Sequence, residues 1–245
     1  MASGQRGKLK HLIANVRPGV PLHTEDLARA GISRDLAIYY ARSGWLDRLG
    51  RGVYALPGEP LRTEASLVAL ERQIPGLHVG GKTALDWQGF RHYLRLRSAL
   101  DLYGWVDAHL PAWFNSRFPS EYHRKRLFDE QPDELLGVAR FEGRHDAPLT
   151  SKPERALLEV LSEVGVRQSL SEVRELMQSM YSLRADVLTS LLGHCRSVKT
   201  VRLCLKLATE FKLPWEKKLN RQRLPTGSDQ PWVTRSRDGL LVLEP

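Results

Sequence analysis

The chain has 245 residues, of which 42% are hydrophobic, enough to build a buried core and to exclude wholesale disorder. Its 37 Lys and Arg residues outnumber its 28 Asp and Glu residues, and the formal net charge of +9 favours an anionic partner such as a phosphate backbone. Two cysteines, no apolar run of membrane-spanning length and no secretory signal argue against a disulfide scaffold or a membrane protein and predict a cytoplasmic protein.

Three short helices are predicted at the start of the chain, over residues 8–16, 25–30 and 34–43. Apolar side chains recur at spacings of three and four in the first helix. Thr24 and Ser33 are the expected N-caps of the second and third helices, because their hydroxyl groups can accept hydrogen bonds from the free amides of the first turn. Two short helices joined by a three-residue turn are the helix-turn-helix arrangement.

A β-hairpin is predicted next, with its glycine-rich turn at residues 50–52. Such a hairpin after the third helix is the wing of a winged helix-turn-helix, so residues 1–58 are predicted to form one domain. This segment holds nine basic and four acidic residues, more than half of the excess positive charge of the chain. Prolines and glycine in residues 56–60 predict a linker after it.

The third helix is expected to enter the major groove of DNA. Its spacing directs a stripe of Ala37, Tyr40, Ala41 and Gly44 toward the core, so the opposite face is left for DNA. Arginine on that face can bind guanine edges with two hydrogen bonds, whereas the wing and the first helix are suited to phosphates. The predicted DNA-binding residues are Arg34, Tyr39, Arg42, Arg48, Arg51, Lys8 and Lys10. The alternative is a winged helix that binds protein.

The remainder, residues 59–245, is predicted to be a larger mixed α/β domain, which makes the fold class α+β. A small mixed sheet is expected within residues 59–150 and a helical cluster within 151–215. The predicted strands of the sheet are residues 77–79, 99–105 and 137–141, with helices at 63–74 and 83–90. The predicted later elements are helices at 154–164, 171–181, 183–194 and 197–211, and a strand at 240–243.

The helix predicted over residues 154–164 has the clearest start signal in this part of the chain. Ser151 and Glu154 match the S-x-x-E capping box, and Pro153 suits the first turn of a helix. The spacing of Leu157, Leu158 and Leu161 places these three side chains on one face of the helix.

A phosphate-binding motif is matched at residues 76–83, which read G-x-x-x-x-G-K-T. In a true P-loop, backbone amides and Lys82 would bind nucleotide phosphates and Thr83 would bind magnesium. That loop follows a buried strand directly, whereas Pro75 precedes this motif and the strand candidate lies inside it. An ordinary strand-turn-helix is therefore favoured, and a nucleotide-binding enzyme is the less favoured alternative.

Metal and catalytic signals are weak elsewhere. His194, Cys195 and Cys204 offer three ligands at most, whereas structural zinc needs four, and the apolar neighbours of Cys204 favour a buried thiol. The pair His145 and Asp146 lacks an accompanying nucleophile motif and favours a turn. We therefore predict no catalytic residue, no metal and no cofactor.

Two further basic clusters predict either a solvated surface or a second phosphate-binding face. They comprise Arg124, Lys125, Arg126, Lys217 and Lys218, and Arg91, Arg95 and Arg97 are candidates to extend them. Such a face would contact DNA or an RNA-modifying protein.

The runs Gly31-Ile32-Ser33-Arg34 and Gly44-Trp45-Leu46-Asp47-Arg48-Leu49-Gly50-Arg51-Gly52-Val53-Tyr54 resemble the N-terminal domain of AbiEi-family antitoxins, which belong to type IV toxin–antitoxin systems. Weaker resemblance continues at residues 80–85, 153–159 and 196–215. The resemblance implies that Arg34, Arg42, Arg48 and Arg51 contact DNA.

The same resemblance implies a winged-helix DNA reader joined to a C-terminal antitoxin domain. Such a protein represses its own operon by binding promoter repeats in double-stranded DNA. It also counteracts a partner toxin that resembles a nucleotidyltransferase. The alternative is a stand-alone winged-helix transcription factor.

Overall fold

A computed structural model describes residues 2–90, 99–131, 134–236 and 239–244 of the chain. Within them, helices α1–α10 are Ala2–Asn15, Thr24–Arg29, Arg34–Arg42, Thr63–Glu71, Gly81–Trp87, Ala112–Asn115, Pro153–Ser162, Leu170–Gln178, Ala185–Gly193 and Val198–Glu210. Strands β1–β10 are Leu22–His23, Asp47–Gly50, Val53–Ala55, His78–Val79, Leu100–Gly104, Ser120–Arg124, Val138–Arg140, Leu149–Ser151, Trp232–Ser236 and Gly239–Leu243. They form sheets of order β1-β3-β2, β6-β5-β4-β8-β7 and β10-β9.

The N-terminal part is a winged helix-turn-helix, as predicted, because α2 and α3 are followed by the antiparallel hairpin of β2 and β3. The Ser33 cap is confirmed, since its Oγ accepts a hydrogen bond of 3.3 Å from the Leu36 amide. The Thr24 cap is wrong: α2 begins at Thr24, and His23 is the N-cap. The His23 amide donates to the Asp26 carboxylate at 2.9 Å, which stabilises this earlier start.

This module has its own small hydrophobic core. Leu27, Ile32 and Tyr40 are buried in it, together with Ala37 on the inner face of α3. The expected stripe is wrong at its last position, because Gly44 follows the end of α3 with a φ of +75° and is exposed. Strand β1 adds a third strand to the predicted hairpin by pairing with β3.

The five-stranded sheet is mixed. Strand β4 is antiparallel to β5 and parallel to β8, β5 is parallel to β6, and β7 is antiparallel to β8. Strands β6 and β8 were not expected, because β6 reads Ser-Glu-Tyr-His-Arg without apolar alternation and β8 has only three residues. The parallel pairing of β5 with β6 brings Asp101 opposite Glu121 and Tyr103 opposite His123.

Helix α7 begins at Pro153, and Lys152 is its N-cap, so the predicted capping box is wrong. Ser151 belongs to β8, where its hydroxyl group donates to the Glu159 carboxylate at 3.0 Å instead of capping the helix. Leu157, Leu158 and Leu161 are buried, and so is every other residue of α7 from Glu154 to Ser162. The helix packs against α5, α9 and α10, so its polar face meets protein rather than water.

Helices α7–α10 and the β9–β10 hairpin close the C-terminal end. The buried Arg202 guanidinium joins α10 to the segment leading into that hairpin by donating to four backbone carbonyl groups. The accepting groups are those of Thr226 (2.6 Å), Gln230 (2.7 Å), Leu243 (3.2 Å) and Ser228. Residues from α4 through β10 share the larger hydrophobic core with Val53 of β3. The predicted domain boundary at residue 58 stays a prediction.

Among the described residues, no helix is both long and apolar enough to cross a bilayer.

Candidate nucleic-acid interface

Helix α3 exposes the side chains expected to face DNA. Arg34 and Arg42 are exposed at its two ends, and Tyr39 is 57% exposed between them. Arg34 and Arg42 are eight positions apart, which corresponds to ~12 Å along the helix. The inner face is anchored by Ala37 and Tyr40, which are buried, so the arginines cannot turn inward without disrupting the small core.

The wing carries the other two predicted arginines. Arg48 lies on β2 and Arg51 in the turn that joins β2 to β3, and both side chains are exposed. Gly52 completes the turn with a φ of +72°, a conformation that L side chains rarely adopt. The hairpin thus presents Arg51 at its tip.

The four arginines share one electrostatic property. Among the described residues, the side chains of Arg34, Arg42, Arg48 and Arg51 form no ion pair and no hydrogen bond. Arg29, on α2, differs because it pairs with Asp26 at 2.7 Å. The donors of the four arginines are therefore available to base edges or phosphates. Lys10 is also exposed on α1, whereas the side chain of Lys8 lies outside the described part.

The exposed face of α3 together with the wing tip is called the reading face. The module is docked on the larger part through α2, β1 and the base of the wing, where a β-carbon on Gly50 would lie 3.0 Å from the Trp113 ring and Val53 is buried in the larger core. His23 Nε2 donates to the Ala69 carbonyl at 3.0 Å, and Arg72 pairs with Asp26 at 2.7 Å. The Arg62 amide donates to the carbonyl of Gly19, where a β-carbon would lie only 2.5 Å from the Pro60 oxygen. Helix α3 stays open to solvent while α2, β1 and the base of the wing are attached.

The P-loop-like residues 76–83 bind other parts of the protein. Strand β4 lies inside the motif rather than before it, as the sequence indicated. The groups that would hold phosphates or magnesium have protein partners, and nothing in this geometry supports the nucleotide-binding alternative there. The partners are the Glu159 carboxylate for the Gly81 amide (2.9 Å), Glu172 for the Lys82 ammonium, and the Asp101 amide for the Thr83 hydroxyl group (2.8 Å).

Glu159 is the centre of a buried charged network. Its carboxylate accepts hydrogen bonds from His78 at 2.9 Å and from Arg155 at 2.8 Å. Burial alone would raise the pKa of Glu159, but the hydrogen bond and charge of His78 and the charge of Arg155 lower it to about 2. Arg155 also binds Glu130 through two hydrogen bonds, of 2.7 and 2.9 Å. The network therefore holds α7 against the sheet.

The predicted second basic face is distributed over two places. Arg124, Lys125 and Arg126 lie at the end of β6 and just after it, and each contacts a carboxylate. These contacts are Arg124 to Asp107 (3.4 Å), Lys125 to Glu163 (2.6 Å) and Arg126 to Asp129 (3.9 Å). Lys217 and Lys218 lie at the second place, where both are exposed and Lys218 lines a cleft beside Trp215. Arg91, Arg95 and Arg97 lie outside the described residues.

The cysteines are buried thiols, as expected for Cys204. Burial raises the pKa of Cys195 to about 11 and that of Cys204 to about 12, so both are protonated thiols near neutral pH. His145 and Asp146 lie in a turn, as predicted, and Asp146 pairs with Arg17 at 3.3 Å.

One polar cluster escaped the sequence analysis. Asp101, Glu121 and His123 bring three potential ligand atoms within 4.8 Å of one another, as a metal site would. Both ring nitrogens of His123 already have partners, Asp101 at 3.2 Å and Arg167 at 2.6 Å, and a guanidinium group repels a cation. The cluster therefore does not fit a metal ion. It was missed because β6 carries no strand signal and residues 123–126 read only as a basic run.

Family models match residues 5–244 of the chain. Residues 5–96 match the family model of the AbiEi antitoxin N-terminal domain, described as a transcriptional regulator. Residues 97–244 match the model of the transcriptional regulator AbiEi antitoxin of type IV toxin–antitoxin systems. No curated protein sequence matches significantly.

Solved structures show a similar fold. The crystal structure of the RV2827C protein from Mycobacterium tuberculosis matches with a TM-score of 0.58 and 17% identity, covering 94% of this chain and 89% of that one. The two family models together span nearly the full sequence, from residue 5 to residue 244. The chain therefore belongs to the AbiEi antitoxin family of transcriptional regulators from type IV toxin–antitoxin systems.

Proposed function

We propose that this protein represses its own operon by binding repeats in the promoter, and that it counteracts a nucleotidyltransferase-like toxin. The observation that carries the DNA-binding half is the set of four exposed arginines on α3 and the wing. They form no ion pair among the described residues, unlike most arginines of the larger part. Unpaired cations beside a helix that can enter a major groove are what duplex recognition needs.

Each element has a distinct proposed contact. Arg34, at the N-terminal end of α3, contacts a base edge, because the N-terminal residues of a recognition helix reach deepest into the groove. Arg42 and Tyr39 contact a base edge or the backbone farther along the helix. Arg48 and Arg51 contact phosphates or the minor groove from the wing. The lysines of α1, Lys8 and Lys10, contact the backbone.

The DNA-binding half is tested by fluorescence anisotropy with a duplex of the chain's own promoter and a scrambled duplex of equal length. Wild type should prefer the promoter, and the triple variant R34A/R42A/R51A should lose that preference. The matched control is R196A, which removes an exposed arginine from the larger part. Equal affinity for both duplexes in the wild type, or equal loss in R196A, would contradict the proposal.

The antitoxin half is supported by the family match over residues 97–244. Its test is co-expression with the toxin encoded by the adjacent gene, followed by growth measurement. The wild type should restore growth, and R34A/R42A/R51A should do so too when expressed from a foreign promoter, because neutralisation needs no operator binding. Failure of the wild type to restore growth would overturn this half and leave a stand-alone transcription factor.

We also propose that the basic residues of the larger part, Arg124, Lys125, Arg126, Lys217 and Lys218, serve as a second phosphate-binding face. The exposed Lys217 and Lys218 have no acidic partner among the described residues, which supports this for their cluster. The variant K217A/K218A should weaken promoter binding or growth rescue while R196A leaves both unchanged. If K217A/K218A matches the wild type in both assays, these lysines form an ordinary solvated surface.

A further inference from the structure

A polar cleft of about 630 Å³ lies beside the end of β6, between the segment after β5 and the segment after α7. We call it the β6 cleft. Its size is within the range of pockets that hold small molecules. Its lining combines cations with apolar side chains, among them Arg124, Lys125, Arg167, Leu110, Tyr122 and Val166. The exposed arginines of α3 and the wing are not part of it.

Arg167 is held in one orientation by a buried pair. His123 Nε2 lies 3.2 Å from Asp101 Oδ1, and His123 Nδ1 lies 2.6 Å from Arg167 Nη1. Because a guanidinium group only donates, Nδ1 accepts from it, and the ring proton is on Nε2 and points to Asp101. Both Asp101 and His123 are buried. The pair thus positions the guanidinium at the cleft before any ligand binds, which lowers the entropy cost of binding.

Three cations and two carboxylates line the cleft, namely Arg124, Lys125 and Arg167 against Asp107 and Glu163. Lys125 and Arg167 share a single carboxylate, that of the buried Glu163, at 2.6 and 3.8 Å. Behind them, Lys199 donates to the carbonyl of Ser162, as Lys125 also does. Burial first, and then the charge of Lys125, lower the pKa of Lys199, whereas the charge of Glu163 raises it. A phosphate in the cleft would lie beside Lys125 and Arg167.

Arg124 adds a third cation, and its ion pair with Asp107 is easily broken. That pair is 3.4 Å long, and both side chains are mostly exposed. Exposed pairs of this kind contribute little, so exchanging Asp107 for a ligand phosphate costs little. Val166, which is 63% exposed, and Leu110 provide apolar surface in the same cleft.

We propose that the β6 cleft binds a mononucleotide, with its phosphates on Arg124, Lys125 and Arg167 and its base against the apolar lining. Phosphate oxygens match the forked donors of arginine, and a base needs an apolar surface of the kind that Leu110 and Val166 provide. The proposal goes beyond DNA binding and toxin neutralisation and does not depend on either.

Isothermal titration calorimetry of the full chain with ATP, GTP, CTP, UTP and inorganic phosphate tests the proposal. At least one nucleotide should bind more tightly than phosphate. R167Q and, separately, R124Q should weaken that binding about tenfold or more. The matched control is R174Q, which removes a half-exposed arginine of α8 that pairs with Glu210 outside the cleft, and it should bind like wild type.

The positioning role of His123 is tested with H123Q. This variant should weaken nucleotide binding in the wild-type background but have little further effect in R167Q, because the histidine acts through the arginine. Thermal unfolding checks that each variant folds. If H123Q does not fold, R124Q still tests the nucleotide site, because the Arg124 side chain is mostly exposed. Promoter binding should stay at the wild-type level in R167Q and H123Q, whose residues belong to none of the DNA contacts proposed above, and this separates the proposal from the DNA-binding one.

Three results would overturn the proposal. The first is no binding of any of the four nucleotides. The second is equal affinity for phosphate and nucleotides, which would mean an anion site without base recognition. The third is a nucleotide affinity that R167Q and R124Q leave unchanged, which would place binding elsewhere.

Discussion

The winged helix-turn-helix and the larger part of the chain use arginine in opposite ways. On α3, Arg34 and Arg42 are exposed and lack acidic partners among the described residues. In the larger part, Arg155 is buried and bound to two glutamates, and Arg202 is buried and bound to four carbonyl groups. Residue type alone therefore does not identify a DNA contact. The partners that surround the guanidinium group decide whether it stabilises the fold or remains available to a ligand.

This difference has an energetic consequence. A buried charge is tolerated only when its hydrogen bonds are satisfied, so removing one member of a buried pair leaves the other unpaired. An exposed arginine without a partner contributes little to folding. Substitutions of the buried arginines of the larger part should therefore change the free energy of unfolding, and substitutions on the reading face should change DNA affinity.

The largest effect is expected for R155A. This change leaves Glu130 without the two hydrogen bonds that it receives from Arg155 and removes one from Glu159. Breaking a buried pair typically costs ~3–5 kcal/mol. Urea unfolding should show that loss, while R196A should remain within about 0.5 kcal/mol of wild type. A loss below about 1 kcal/mol for R155A would contradict the view that this arginine belongs to the fold.

The next effect concerns pH and Glu159. Its pKa is about 2 in the folded protein, against an ordinary value of 4.5. A carboxyl group with a lowered pKa stabilises the fold above its ordinary value, and this contribution is lost as pH falls from there toward 2. The shift corresponds to ~3 kcal/mol. Between pH 5 and pH 2, wild type should lose about that much more stability than E159Q, as measured by urea unfolding at each pH. Parallel pH profiles for the two proteins would refute the prediction.

Substitutions on the reading face should change DNA affinity rather than the free energy of unfolding. R34A should weaken promoter binding by ~1–3 kcal/mol if Arg34 contacts a base edge, and R42A should do the same if it makes a similar contact. The free energy of unfolding should stay within about 0.5 kcal/mol of wild type. Anisotropy titration against duplexes with single base changes would show relaxed specificity at one position. A large stability loss in R34A would instead place Arg34 in the fold.

The reading face was predictable because it depends on local rules. The Ser33 cap, the buried Ala37 and Tyr40, and the glycine-rich turn of the wing follow from spacing within about 20 residues. The β6 cleft was not predictable, because it joins Asp101, His123 and Arg167 from distant segments. Nor could α7 be understood from its own leucines, because its polar face is buried by a network that reaches His78 and Glu130.

Substitution of Arg51 on the wing should have a smaller effect on DNA affinity, and one that does not depend on the DNA sequence. Arg51 is at the tip of the hairpin, where a phosphate contact is expected. R51A should weaken binding to promoter and scrambled duplexes about equally and reduce the slope of log affinity against log salt by about 0.9. Anisotropy titrations at several salt concentrations measure that slope. An unchanged slope would remove Arg51 from the phosphate contacts.

The smallest effect is expected where the two regions meet. Arg72 pairs with Asp26 at 2.7 Å and, against the effect of burial, its hydrogen bond helps to lower the pKa of that carboxyl group. Arg72 is partly exposed, so R72A should cost no more than about 1 kcal/mol in urea unfolding. The hydrogen bonds from His23 to Ala69 and from Arg62 to Gly19 remain in R72A, so unfolding should stay a single transition. Two separate transitions in R72A would show instead that this ion pair, rather than the backbone contacts, couples the DNA reader to the rest of the chain.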